Sequence, residues 1–257
     1  MEKSIKLSKI ATVAPKSLDK ETIKLKTKEL ILEINELQDV LIASKKKSIL
    51  VILQGMDASG KDGATKKVFG GLNPLGIKVQ TFKKPTEEEF AHDFLWRIHK
   101  VVPAKGEITI FNRSQYEDVL IQRVHNWIDE KTVKQRFDAI NNFEKLLEQN
   151  DTKIIKCYMH ISPEAQLERL EERKTNPAKM WKHNDNDWQE RKLWKEYMNA
   201  YEDVFENCSK AAKWNIIAAD QNWYKEYQIA KLVRDELKAM KLTYPILQIS
   251  STENTKK

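Results

Sequence analysis

The sequence predicts an α/β protein, with one parallel sheet covered by helices on both faces, and three observations carry that prediction. Stretches of strand length, apolar at 49–53, 107–111, 153–160 and 214–218 and alternating at 77–82, are interleaved with longer stretches of helical periodicity. The first stretch runs directly into Gly55-Met56-Asp57-Ala58-Ser59-Gly60-Lys61, a Gly-x-x-x-x-Gly-Lys turn that opens a helical pattern. Neither an internal repeat nor a linker divides the 257 residues. A single domain, 1–257, with a substantial core is therefore expected.

Taken in order, residues 1–20 are polar around Pro15 and read as an arm on the surface or on a neighbouring subunit. Leu30, Ile34, Leu37 and Leu41 recur at helical spacing, which predicts an amphipathic helix over 21–43. Lys45-Lys46-Lys47 reads as a solvated turn. After the glycine turn a helix is expected over 61–69, stopped by Gly70-Gly71. Thr86 and Glu89 form a capping box that opens a helix to about residue 102, where Pro103 and Gly106 end it. The third strand delivers Asn112-Arg113-Ser114-Gln115-Tyr116-Glu117-Asp118 to its carboxyl end, where ligands of open parallel sheets sit.

Residues 119–150 are helical by periodicity, with a break near Asp129. Ser162-Pro163 caps a helix that sets Arg169 and Arg173 one turn apart. The polar segment 174–187 around Pro177 reads as a lid, giving a lid region at 169–190. A helix over 188–207, the last strand and a helix over 223–240 complete the pattern, and 246–257 reads as a flexible tail. The glycine turn on the first strand and Arg113 after the third suggest the kinase-type strand order 2-3-1-4-5. The expected architecture is a three-layer α/β/α sandwich with a helical lid after the fourth strand.

The glycine turn has the chemistry of a phosphate cradle. Its backbone N–H groups turn inward, the following helix adds partial positive charge, and Lys61 adds a full one. Asp62 stands where Ser or Thr is usual and Asp57 lies inside the loop, so two carboxylates beside a phosphate call for a divalent cation. The formal net charge of +7 points to anionic partners. Cys157 and Cys208 have no ligand or disulfide pattern, the amino terminus lacks the apolar core of a signal peptide, and no apolar run nears the roughly 20 residues that span a bilayer. A cytoplasmic protein without a membrane partner is expected.

Plainer readings stand beside these. Lys66 and Lys67 fit ordinary solvated helix positions, Arg97 and His99 fit pairing within their helix, and Trp181, Trp188 and Trp194 fit packing as well as stacking on a base. The five histidines show no zinc-ligand spacing. A nucleic-acid or polyanion binding module is a competing class, but the aromatics are not interleaved with basic residues as a stacking platform requires. An ATP-dependent kinase of a small metabolite is a second competitor, since fold does not fix function.

Three motifs together are more specific. Gly55 to Gly63, then Phe111-Asn112-Arg113-Ser114-Gln115-Tyr116-Glu117-Asp118-Val119, then Arg169-x-x-x-Arg173-x-x-Asn176-Pro177-x-Lys179-x-Trp181-Lys182 resemble the second family of polyphosphate kinases. His92-Asp93-Phe94-Leu95-Trp96-Arg97-x-His99-Lys100 is similar to that family too, and the resemblance covers roughly residues 25–245. It implies a kinase that moves the terminal phosphoryl group of inorganic polyphosphate to a nucleotide, with Mg2+ (or Mn2+), reversibly in principle. The resemblance implies catalytic roles for Asp57, Lys61, Asp62, Arg113, Glu117 and Arg173, with metal at Asp57, Asp62 and Glu117. Substrate contacts are implied for Gly55, Ala58, Ser59, Gly60, Gly63, Lys66, Lys67, Asn112, Tyr116 and Arg169. Asn112, where many diphosphate-using members have Asp, gives a pattern that looks like the subgroup called class III. That subgroup accepts monophosphates and diphosphates, so AMP, ADP and ATP are the expected nucleotides, with guanine nucleotides also open. The family resemblance also points to dimers or tetramers.

Overall fold

The computed structural model describes residues 5–246. The tail expected at 246–257 lies, beyond Ile246, outside the described residues, as do residues 1–4 of the arm. Five parallel strands form one sheet: β1 (Ser48–Gln54), β2 (Ile77–Thr81), β3 (Ile108–Asn112), β4 (Thr152–His160) and β5 (Trp214–Ala218). Their order is β2-β3-β1-β4-β5, as expected. β1 and β3 are buried along their whole length, as strands of a parallel sheet covered on both faces must be. Leu53 lies beside Asn112, and Gln54 beside Tyr158, so the ends of β1, β3 and β4 open on one edge.

The first helix, α1 (Lys20–Ser44), is capped at Asp19, whose carboxylate accepts from the Thr22 N–H at 2.8 Å. Its buried stripe is Ile23, Leu30, Ile34 and Leu41, with Thr27 and Gln38 in the same face. That stripe packs on the last helix, α10 (Asn222–Ala239). After the glycine turn comes α2 (Lys61–Ala64), continued as a wider π-turn over Thr65–Phe69.

Two expected long helices are broken. The stretch from Thr86 to about 102 divides into α3 (Glu87–Ala91), under the capping box, and α4 (Trp96–His99). His92 is extended, and the Asp93 carboxylate accepts from the Leu95 N–H at 2.9 Å, so a local side-chain bond competes with the helical ladder. The stretch 188–207 divides at Leu193 into α8 (Asp185–Lys192) and α9 (Trp194–Asn207), preceded by a 3-10 turn at Met180–Lys182. The halves bury different chemistry, since α8 turns Asp187 and Glu190 inward, whereas α9 buries Tyr197, Tyr201, Val204 and Phe205.

The break near Asp129 is present. A 3-10 turn (Gln115–Val119) and α5 (Ile121–Val124) precede α6 (Glu130–Gln149), which Asp129 caps. After β4, α7 (Pro163–Thr175) starts under the Ser162 hydroxyl. The arm lies on its own chain: Leu7 and Ile10 offer their carbonyls to His160 Nε2, the Thr12 hydroxyl donates to Asp220, and the Ala14 N–H donates to Gln221. Both cysteines are buried and free.

Candidate active site

A cavity of about 420 Å³ opens at the carboxyl edge of the sheet. Its wall gathers Lys61, Arg113, Arg169, Arg173, Lys179 and Lys182 against only three carboxylates, Asp57, Asp62 and Glu172. Each segment reaches the cavity for a local reason. Gly55 (φ 150) and Gly60 (φ 92) turn the loop through positive φ, Ala58 (φ 61) shares that region, and the Ser59 N–H closes the turn on the Met56 carbonyl at 3.1 Å. A Cβ at Gly60 would fall well inside van der Waals contact of Lys225 Nζ. Because φ 92 strains any side chain there and the loop must shift to relieve it, we expect Gly60→Ala to lose about a hundredfold in kcat/KM, the size of effect a misplacement of about 1 Å produces, with steady-state kinetics as the check.

Lys61 is buried and folds back on its own loop, donating to the carbonyls of Gly55 (2.7 Å) and Met56 (3.1 Å). Burial, reinforced by the nearby Arg113 charge, pulls its ammonium below the usual lysine range. Arg113 sits just past β3 at φ 64, with its N–H on the Leu53 carbonyl. Its guanidinium spans Asp57 (2.5 Å) and Glu117 (3.3 Å). The Glu117 carboxylate, reinforced by Asp57 and opposed by burial, holds Arg113 firmly charged.

Asp62 accepts from Asn112 Nδ2 at 2.7 Å and from Lys182 Nζ at 2.9 Å. Burial pushes its carboxyl up, but those two hydrogen bonds outweigh it and leave Asp62 below its ordinary value. Arg173 holds Asp187 at 2.6 Å, and Asp187 is raised by burial and by Asp57 despite that pairing. The segment between α7 and α8 is thus tied to the loop at Lys182–Asp62, and α8 to α7 at Arg173–Asp187.

Most of the expected site residues converge. Asp57, Ala58, Gly60, Lys61, Asp62, Gly63, Asn112, Arg113, Arg169 and Arg173 all line the cavity, Gly55 lies at the start of the loop, and Ser59 is fully buried within it. Tyr116, expected against substrate, lies elsewhere. It is fully buried, with its hydroxyl between Glu144 (2.5 Å) and Lys156 (3.0 Å), because the 3-10 turn rotates it from the strand edge into the core. Glu117 stands behind Arg113 rather than on the cavity wall. Lys66 and Lys67 are exposed on the π-turn outside the cavity.

The sequence reading missed Lys182, Lys179 and Glu172 as cavity residues, although the lid motif contained the two lysines. It also missed Asn222, which arrives from the turn after β5 with no motif to announce it.

Asp57 and Asp62 suit a magnesium ion. Both line the cavity beside the cations that would take phosphate, and magnesium uses one or two carboxylates plus substrate oxygens. Among the described residues no three His, Cys, Asp or Glu side chains gather as an all-protein metal cage.

A parallel sheet in this order, a P-loop at the end of its middle strand and a ring of cations facing that loop define a P-loop phosphotransferase. The polyphosphate kinase 2 family model matches residues 17–245, and the chain belongs to that family. It is 43% identical over 213 residues to the AMP/ADP-polyphosphate phosphotransferase of Meiothermus ruber, covering 82% of this chain and 80% of that protein. It is 36% identical to the ADP-polyphosphate phosphotransferase of Rhodopseudomonas palustris, covering 82% and 78%. Polyphosphate kinase 2 from Arthrobacter aurescens superposes with a TM-score of 0.93 at 37% identity, over 97% of this chain and 90% of that one. Among the described residues no helix is long and apolar enough to cross a membrane.

Proposed function

We propose that this enzyme transfers the terminal phosphoryl group of inorganic polyphosphate to AMP and ADP. The carrying observation is the cavity's excess of fixed cations, six against three carboxylates, around a phosphate-binding loop. A phosphoanhydride chain brings the charge that this ring lacks. The names of the two curated relatives, one using both AMP and ADP, support the acceptor.

In this reading Lys61 leaves the Gly55 and Met56 carbonyls for phosphate oxygens, and the loop N–H groups hold the chain. Arg113 and Arg173 bear on the transferring group, whose loose transition state spreads charge over three oxygens, so alignment and charge stabilisation supply the rate. Asn112 fixes Asp62, and Glu117 fixes Arg113. Asp57 and Asp62 would hold magnesium, which when bound would supply further charge neutralisation for the transferring group. Lys182 and Arg173 close the lid over the bound chain, and the exposed Lys66 and Lys67 offer a path for the polymer beyond the cavity. Leu25 and Leu32, exposed seven residues apart on α1, support self-association as a dimer or tetramer, which light scattering would measure.

The test is direct. Purified protein, magnesium, long-chain polyphosphate and ADP should yield ATP with no nucleoside triphosphate added, and AMP should yield ADP, both followed by 31P NMR. Excess chelator should stop turnover and added magnesium restore it. Phosphorylation only when ATP is the donor would overturn the reading.

A further inference from the structure

Among the described residues two lysines are fully buried, and they are treated in opposite ways. Lys156 has a complete set of partners: the Glu144 carboxylate at 2.6 Å, the Tyr116 hydroxyl and the Cys208 carbonyl. Lys225, in the first turn of α10, has none of that kind. Its ammonium donates to Asn222 Oδ1 at 2.8 Å and reaches the Ser59 carbonyl only at 3.5 Å, and no carboxylate among the described residues pairs with it. A buried ammonium with three N–H groups and one good neutral acceptor is short of a negative charge.

Its surroundings share the deficit. Arg169 donates to the carbonyls of Ala58, Ala219 and Asp220 and to Asn222, without a carboxylate. Ser59 Oγ is buried without a hydrogen-bond partner. Gly60, Arg169 and Asn222 all line the cavity, and the ammonium occupies the space a side chain at Gly60 would need.

We infer that Lys225 is a phosphate-binding residue of this cavity, forming with Arg169 and Asn222 a subsite at Gly60 for a phosphate that is not being transferred. The subsite rests on the polyphosphate kinase reading and adds to it a residue that no sequence motif marks. The absence of a side chain at position 60 leaves the ammonium a way through to a phosphate oxygen, a short movement of a four-carbon stem.

The charged groups around Lys225 are Arg169 from α7, Lys61 and Asp62 from α2, and Glu226 from its own helix. Burial first, then Arg169 and Lys61, bring its ammonium down to about 7. An anion beside it reverses that drop, so binding at pH 8 takes up a proton, and affinity falls as pH rises past 7.

The experiment uses the full chain with tripolyphosphate and, separately, ADP, at constant magnesium, read by thermal shift and by calorimetry in two buffers of different ionisation enthalpy. Lys225→Met keeps the stem and below pH 7 removes an uncompensated charge, so its ligand-free Tm at pH 6 should equal or exceed that of the parent. Its affinity should fall about tenfold or more, the loss of one charge-assisted hydrogen bond, and its proton uptake at pH 8 should vanish. Asn222→Asp gives the ammonium an internal counter-ion and should weaken binding similarly without unfolding the protein, which keeps the test decisive if Lys225→Met is poorly folded. A loss confined to tripolyphosphate assigns the subsite to the donor chain, and one confined to ADP assigns it to the nucleotide. Unchanged binding of both anions by Asn222→Asp, or by a folded Lys225→Met, overturns the subsite. A parent protein that binds neither anion defeats the functional reading instead.

Discussion

Arg113→Ala should lose at least about a thousandfold in polyphosphate-dependent ATP formation, the lower end of what an arginine facing a transferring phosphoryl group contributes, while keeping its fold. The guanidinium is the meeting point of Asp57 and Glu117, and the backbone holds it there at a positive φ that most side chains avoid. Its side chain is one third exposed, so removal opens no core cavity and circular dichroism should be unchanged. Arg113→Lys should recover little, because an ammonium cannot span two carboxylates and a phosphate as a planar fork does. Initial rates with ADP and tripolyphosphate decide the matter. A variant with more than about a tenth of the parent rate, far above the loss expected for such an arginine, would remove Arg113 from the chemistry.

The largest stability effect should come from Glu144→Ala. Glu144 and Lys156 are both fully buried, joined at 2.6 Å, with Tyr116 donating to the same carboxylate. Deleting one partner strands the other charge in the core, an effect of about 3–5 kcal/mol. For a chain of this length that corresponds to a fall of about 10 °C in Tm, read by calorimetry. The paired replacement Glu144→Met with Lys156→Met should recover much of the loss, since well-packed apolar residues often replace a buried ion pair without penalty. If Glu144→Ala left Tm within about 2 °C, less than 1 kcal/mol for this size of chain, the pair would not be holding the core together.

That pair also explains what the sequence concealed. The strands were legible because β1 is a continuous apolar run and β2 alternates, and the glycine turn marked which of them was central. Lys156, lodged between Ile155 and Cys157, was a visible anomaly in such a run, but its partner lies on α6 and only the fold brings them together. Tyr116 was misplaced for the same reason. Sequence put it just past a strand end, while the turn at Gln115–Val119 decides which way it faces. The helix break at His92 follows from a local Asp93 bond and the one at Leu193 from two faces with different partners, neither of which periodicity records. Asn222 lines the cavity, and Lys225 reaches the Ser59 carbonyl behind it, only because β5 ends beside the loop.

The strand order also sets a problem for the nascent chain. β1 leaves the ribosome first, yet Ile49 finds one neighbour at Ile108 and the other at Lys153, about sixty and about a hundred residues later. At typical synthesis speeds of about 5–20 residues per second, the aliphatic run of β1 waits on the order of ten seconds for its second neighbour. Through that interval the strand that carries the phosphate loop has its edges open to any other strand that emerges beside it.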